Sequence, residues 1–209
     1  MSDCSCDFGE TVPWTEFLPY ILPSAGDVPD VIAAHMARLA AIEYAIVTKE
    51  LKASIGIKAQ RGACYFRLCT SDDYTVESID YVDVGGRELQ VNRQTYGFGR
   101  SGEFTFDQSE GRLIIPGGSP CDGMIEVRAT VLPGQDSCFV NRMVYARHAE
   151  TIAHGALMRL YRMRSEKWYD PTLAREEERL FRDALRWARV NSLKGGSSKP
   201  LVMTAPRVI

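Results

Sequence analysis

The chain has 209 residues, of which 45% are hydrophobic and 25% charged, with a formal net charge of −2. That length suits one domain, or a helical body with one inserted β module, and it buries a core without covalent staples. The near-even charge balance excludes a DNA binder coated in basic residues.

The balance hides a gradient. Residues 1–30 carry Asp3, Asp7, Glu10, Glu16, Asp27 and Asp30 and no Lys or Arg. Residues 70–141 hold twelve acids against five Arg, a net of −7, whereas residues 142–189 hold eleven Lys and Arg against seven acids, a net of +4. Two readings stand: clustering on solvated faces, or self-complementary docking in which a basic end meets an acidic partner. The N-terminus has no basic region followed by an apolar run, and no apolar stretch of 18 residues is present, so neither a signal peptide nor a membrane span is expected. The six cysteines are Cys4, Cys6, Cys64, Cys69, Cys121 and Cys138. Cys64 and Cys69 lie in strand-like sequence and read as small buried hydrophobes. Cys4-Ser5-Cys6 has the form of half a metal site, but no second pair has suitable spacing, so no metal or other cofactor is expected.

Residues 1–26 read as an irregular N-terminal arm. Pro13, Pro19, Pro23 and Gly26 block a long helix, and the interleaved Phe8, Trp14, Phe17 and Tyr20 need cover from a groove, from the arm itself or from a neighbour. A first helix is expected over 28–52, capped by Asp27 with Pro29 in its first turn. Its apolar stripe is Val28, Ile32, Met36, Leu39, Ile42, Ile46 and Val47. Glu43 projects into that stripe and needs a partner, for which an Arg of the C-terminal helices is the candidate.

From 53 to 141 the period shortens. Strands are expected at 63–68, 78–84, 88–91, 103–106, 112–115 and 124–131, separated by Gly, Pro and Asp turns. They make an antiparallel β module of about five to seven strands, a small sandwich or open barrel. A second long helix over 142–164 presents Ala149, Ile152, Ala153, Ala156, Leu157, Leu160 and Met163, and its small residues Ala153, Gly155 and Ala156 admit another helix closely. Lys167-Trp168-Tyr169-Asp170-Pro171 breaks it, with Asp170 as N-cap of a third helix over 171–190 that presents Leu173, Leu180, Phe181, Ala184, Leu185 and Ala188. The Gly/Ser-rich tail 191–209 reads as flexible.

The expected fold is therefore α+β: a three-helix body, with one N-terminal and two C-terminal helices, carrying an inserted antiparallel β module and an extended C-terminal tail. The units are the arm (1–26), the helical body (27–52 plus 142–190), the β module (53–141) and the tail (191–209). Body packing is expected to rest on Ile32, Leu39, Glu43, Ile152, Ala156, Leu160, Trp168 and Phe181.

No catalytic constellation emerges. The histidines are His35, near the edge of the first stripe, and His148 and His154, on the polar side of the second helix, all read as solvent-facing or interfacial. Gly-x-Ser-x-Gly, phosphate-loop and HExxH patterns are absent. Gly97-Phe98-Gly99-Arg100-Ser101-Gly102 matches G-x-G-x-x-G, but a strand follows it, so it reads as a hairpin loop. No catalytic or cofactor-binding residue is assigned and no enzyme is expected. If there were an active site, Glu43, Asp80 or Asp83 would be its acids.

Three stretches carry a resemblance. They are Leu22-Pro23 with Val28-Pro29-Asp30-Val31-Ile32 running into Arg38–Ala45 and Thr48–Leu51, then His148–Leu160, then Lys167–Ala174 with Glu178, Phe181 and Ala184. In this order, over about residues 20–190, the chain resembles the head-to-tail adaptors (head-tail connectors, tail tubular protein A-like) of tailed bacteriophages. The motifs are packing motifs, and the N-terminal arm has no counterpart. The resemblance implies a structural virion protein of the phage neck, assembled in the host cytoplasm as a ring of twelve copies below the portal protein. The ring would attach a tail, stopper or nozzle protein and extend the channel used in genome ejection, with DNA passing without sequence-specific contact. It also implies a portal-docking tail, here Lys194, Lys199, Pro200, Leu201, Val202, Met203 and Arg207. The alternative is a β-rich virion or baseplate module that binds a protein or sugar through Tyr74, Tyr96 and Phe98.

Overall fold

The computed structural model describes residues 4–7, 9–68, 73–92 and 102–193. Among them the chain runs β1 (Cys4–Asp7), β2 (Thr11–Pro13), a 3-10 turn (Trp14–Phe17), α1 (Leu18–Ala25), α2 (Asp30–Thr48), β3 (Lys52–Ala59), β4 (Tyr65–Arg67), β5 (Tyr74–Val84), β6 (Arg87–Glu88) and β7 (Gln90–Val91). It continues through β8 (Glu103–Asp107), β9 (Arg112–Ile114), β10 (Gly123–Pro133), β11 (Phe139–Asn141), α3 (Arg142–Leu160) and α4 (Pro171–Leu193).

The largest sheet has the order β1-β3-β10-β5-β6, all pairs antiparallel. In β3 the residues Ala53, Ile55, Ile57 and Ala59 alternate with exposed or half-exposed neighbours, so one face is buried. Ile57 lies opposite Ile125, and Ile55 opposite Val127, which joins Val82 on the far side. Two register shifts leave Asp80 and Glu77 of β5 without direct partners on β10. Each extra residue flips the strand's phase, which is why Val76, Ile79 and Val82 all face inward at a spacing of three. A four-stranded sheet, β4-β9-β8-β7, buries Phe66, Leu113 and Phe104, and its β7–β8 pair is parallel. A two-stranded ribbon joins β2 to β11.

The helices close over one another around small residues. α2 turns Ala33, Ala37, Ala40, Ala41, Tyr44, Ala45 and Thr48 inward. A Cβ on Gly155 of α3 would stand 2.8 Å from Ala40 Cβ and 2.8 Å from Phe181 Cε2 of α4, so α2, α3 and α4 meet at this hydrogen-sized side chain. Asp170 caps α4, its Oδ1 accepting from the N–H groups of Thr172 (2.8 Å) and Leu173 (3.0 Å). By length and composition α2 could cross a bilayer, but its alanine face is packed into the core.

The expected three-helix body with a small inserted β module is overturned. The fold is α+β, but sheet-rich: among the described residues there are four α-helices, and eleven strands in three sheets. One hydrophobic core runs without a break from Trp14, Phe17 and Ile21 through Ala37 and Ile152 to Ile55, Val127 and Leu113. The arm, read as irregular, is folded into that core. Pro19 sits in the first turn of α1, where its missing N–H costs nothing, and Pro23 removes one bond from a helix of only eight residues. β1 and β2 pair with β3 and β11. Asp27 does not cap α2, which begins at Asp30 after Pro29. Cys64 is half-exposed rather than buried, and Cys69 lies outside the described residues.

Candidate functional site: the outer faces of the helices

α2 is apolar on both sides. Opposite its alanine face, Val31 is 81% exposed and Ile46 is 47% exposed, with Leu39 and Ile42 half-exposed between them. Spacings of 8, 3 and 4 residues keep all four on one side of a helix, a stripe roughly 22 Å long. α4 carries a second such stripe. Leu173 is 40% and Trp187 is 71% exposed, Leu180 is half-exposed between them, and steps of seven align the three.

Another face of α4 is charged. Arg175, Arg179, Arg182, Arg186 and Arg189 are all exposed and follow one edge of the helix. Arg182 pairs with Glu178, and Arg186 with Asp183 at 3.2 Å. Such exposed pairs add little stability, so they set the character of the surface more than its fold. α4 packs on α3 and α2.

Polar contacts tie the helices beneath. Arg159 Nη2 donates to Glu43 Oε2, and its Nη1 to the Gly155 carbonyl at 2.6 Å. His154 Nδ1 lies 2.6 Å from Glu177 Oε2, linking α3 to α4. The Glu43 side chain is 44% exposed and that of Arg159 21%, so Arg159 depends on the pair more than Glu43 does. Glu43→Gln, which keeps an acceptor, is expected to cost about 0.5 kcal/mol, and Glu43→Leu about 1–2 kcal/mol, by urea denaturation.

A second cluster forms where α2 ends. Lys49 takes the left-handed conformation (φ 53°) and turns Glu50 toward α3. Tyr44 donates its hydroxyl to Glu50, whose Oε2 lies 3.2 Å from His148 Nε2, and the Tyr44 and His148 rings are 4.7 Å apart. Burial, reinforced by the hydrogen bond to the Glu50 carboxylate, raises the Tyr44 pKa and keeps the phenol neutral. His148 has φ −131° and ψ 16°, a break inside α3. Of the two readings of His148, solvent-facing or interfacial, the first fails, since its side chain is only 19% exposed. A cavity of about 250 Å³ adjoins this cluster, but none of its lining residues carries a hydroxyl or thiol, and Lys52 is bound to Asp80 (2.7 Å) and Thr130 (2.7 Å). The arrangement joins the end of α2 to the bend in α3.

The acids considered for chemistry are dispersed. Glu43 holds Arg159 and Asp80 holds Lys52, while Asp83 accepts from the Gly86 N–H at 2.8 Å in the β5–β6 turn. Among the described residues no group of three His, Cys, Asp or Glu could hold a metal. Of the packing residues, Ile152, Ala156, Leu160 and Phe181 are buried, whereas Ile32, Leu39, Glu43 and Trp168 are half-exposed. Tyr74 is 2% exposed and burial pushes its hydroxyl up to about 12, so it presents nothing to a ligand. Tyr96, Phe98 and the tail residues Lys194, Lys199, Pro200, Leu201, Val202, Met203 and Arg207 lie outside the described residues. Sequence reasoning missed Trp187, which the seven-residue step from Leu173 and Leu180 signals. Compared with known proteins, the chain matches no family model and no curated protein.

Proposed function

We propose that this chain is a structural, non-enzymatic head-to-tail adaptor of a tailed phage, working in the virion neck as a ring on the portal. The observation that supports it is the pair of uncovered apolar stripes, on α2 and on α4, at different places on one subunit. Two unlike sticky faces favour a head-to-tail contact, and such contacts close into rings when the rotation permits. The part of the α2 stripe from Leu39 to Ile46 receives, on one copy, the α4 stripe of the next. The arginines of α4 and the acids of residues 70–141 give each copy charged regions of opposite sign to orient against its neighbours and the portal. Twelve copies would extend the portal channel, let DNA pass without sequence-specific contact, and carry a tail, stopper or nozzle protein.

Electron microscopy of the protein mixed with portal tests this. The expected result is a ring stacked on the portal, and a monomer that stays monomeric with portal present overturns the proposal. In this reading the segment from Lys194 to Arg207 docks on the portal. Deleting residues 194–209 is expected to abolish co-sedimentation with portal while leaving the thermal midpoint within about 2 °C, because the core residues of the described chain all precede residue 194. Undiminished co-sedimentation would remove the tail from the mechanism.

A further inference from the structure

A groove of about 370 Å³ opens between the Trp14–Phe17 turn and the first half of α2, at the N-terminal end of the exposed stripe. Trp14, Val31 and Ala34 give it apolar walls, and His35 and Arg38 stand along it. Arg38 is half-buried, yet no carboxylate among the described residues lies within 4 Å of it; Asp30, which also lines the groove, sits two helical turns earlier. Arg38 Nη1 donates to the Ser137 carbonyl at 3.3 Å and Nη2 lies 2.7 Å from His35 Nδ1, while Nε is buried with no partner. Ser137 is 1% exposed and its hydroxyl is also buried without a partner. A half-buried guanidinium without a counter-charge is costly, and a carboxylate arriving at it gains a charge-assisted bond at little further desolvation.

We propose that this groove receives a segment of a partner protein in which a large apolar side chain stands beside an Asp or Glu. The apolar side chain lies against Trp14 and Val31, and the carboxylate meets Arg38. A bare phosphate or other small anion would leave the apolar walls in water, and an uncharged apolar segment would leave Arg38 without its counter-charge. The proposal stands apart from the ring reading: a chain that never forms a ring could still bind such a segment here.

The Trp14 indole N–H, which donates to the Ser137 carbonyl at 2.8 Å, is a local reporter. The test titrates the isotope-labelled full chain with the peptides acetyl-Phe-Asp-Leu-amide and acetyl-Phe-Asn-Leu-amide and follows that N–H by NMR. A saturable shift is expected with the Asp peptide, with affinity about tenfold weaker for the Asn peptide, the size of one charge-assisted bond. Arg38→Gln is expected to abolish the difference between the peptides. Because that variant also loses support for Ser137, the two-peptide comparison on the unaltered chain is decisive by itself. Equal binding of both peptides, or no Trp14 shift at millimolar peptide, overturns the proposal. So does a Trp14 shift that follows protein concentration instead of peptide, which would give the groove to a second copy.

Discussion

Valine at position 155 is expected to cost ~4 kcal/mol or more of stability, a large share of the ~5–15 kcal/mol that most domains hold, because overpacking alone costs ~1–3 kcal/mol per misfit group and valine brings more than one. The reason is geometric. Any Cβ at this position meets Ala40 Cβ and Phe181 Cε2, both at 2.8 Å, and Phe181 Cζ at 3.0 Å. Ala40 is fully buried and Phe181 is 1% exposed, so neither can swing into solvent. Alanine is the informative intermediate. It gains ~1 kcal/mol of helix propensity over glycine and loses more than that to the clash, so a net loss of about 1–2 kcal/mol is expected. Denaturation midpoints in guanidinium check both variants. Trimming the ring in a Gly155→Ala, Phe181→Leu double variant should recover part of the alanine cost, since the two residues touch and their effects couple. Valine tolerated to within about 0.5 kcal/mol, the range of a surface substitution, would mean that the three helices do not meet here.

The same contact explains what the sequence showed and what it hid. The small residues of α3 were legible as a close-approach face, and the six expected strands fall on observed ones. The orientation of α2 was not legible. Its large apolar residues seemed to mark the core side, but a helix that packs within reach of Gly155 must offer alanines there, and so Leu39, Ile42 and Ile46 face outward. Periodicity finds apolar faces; it does not say which is covered by the chain and which by a partner. β3 was hidden for another reason: its alternating Ala53, Ile55, Ile57 and Ala59 follow α2 after only three residues, so the helix was run on to 52. The arm shows the limit of proline as a local signal, because tertiary burial of Phe17 and Ile21, both fully buried, stabilises a short helix that contains two prolines. The Glu43–Arg159 pair meets the expectation of an Arg from the C-terminal helices, drawn from the cost of an unpaired carboxylate, whereas the Glu50–His148 contact joins residues far apart in sequence and no spacing rule reaches it.

Glutamates at 42 and 46 together are expected to block assembly on the portal while leaving the fold intact. Ile46 is 47% exposed and Ile42 half-exposed, and neither packs against the core, so the thermal midpoint should stay within about 2 °C, as for ordinary surface substitutions. At an interface each isoleucine is worth ~1.5 kcal/mol or more, and a carboxylate buried unpaired adds to the loss, so subunit affinity should fall by a factor of about 100 or more. Leu173→Glu with Trp187→Glu is expected to do the same from the α4 side. The mixture of the two double variants discriminates further. Each keeps the face that the other has lost, so a head-to-tail contact allows one α2 stripe to meet one α4 stripe and no more. Native mass spectrometry of the mixture should show a heterodimer that cannot grow, with both variants monomeric alone. A homodimer of either variant would mean that one of the stripes pairs with itself. Full rings from both would mean that neither stripe lies at the contact between copies.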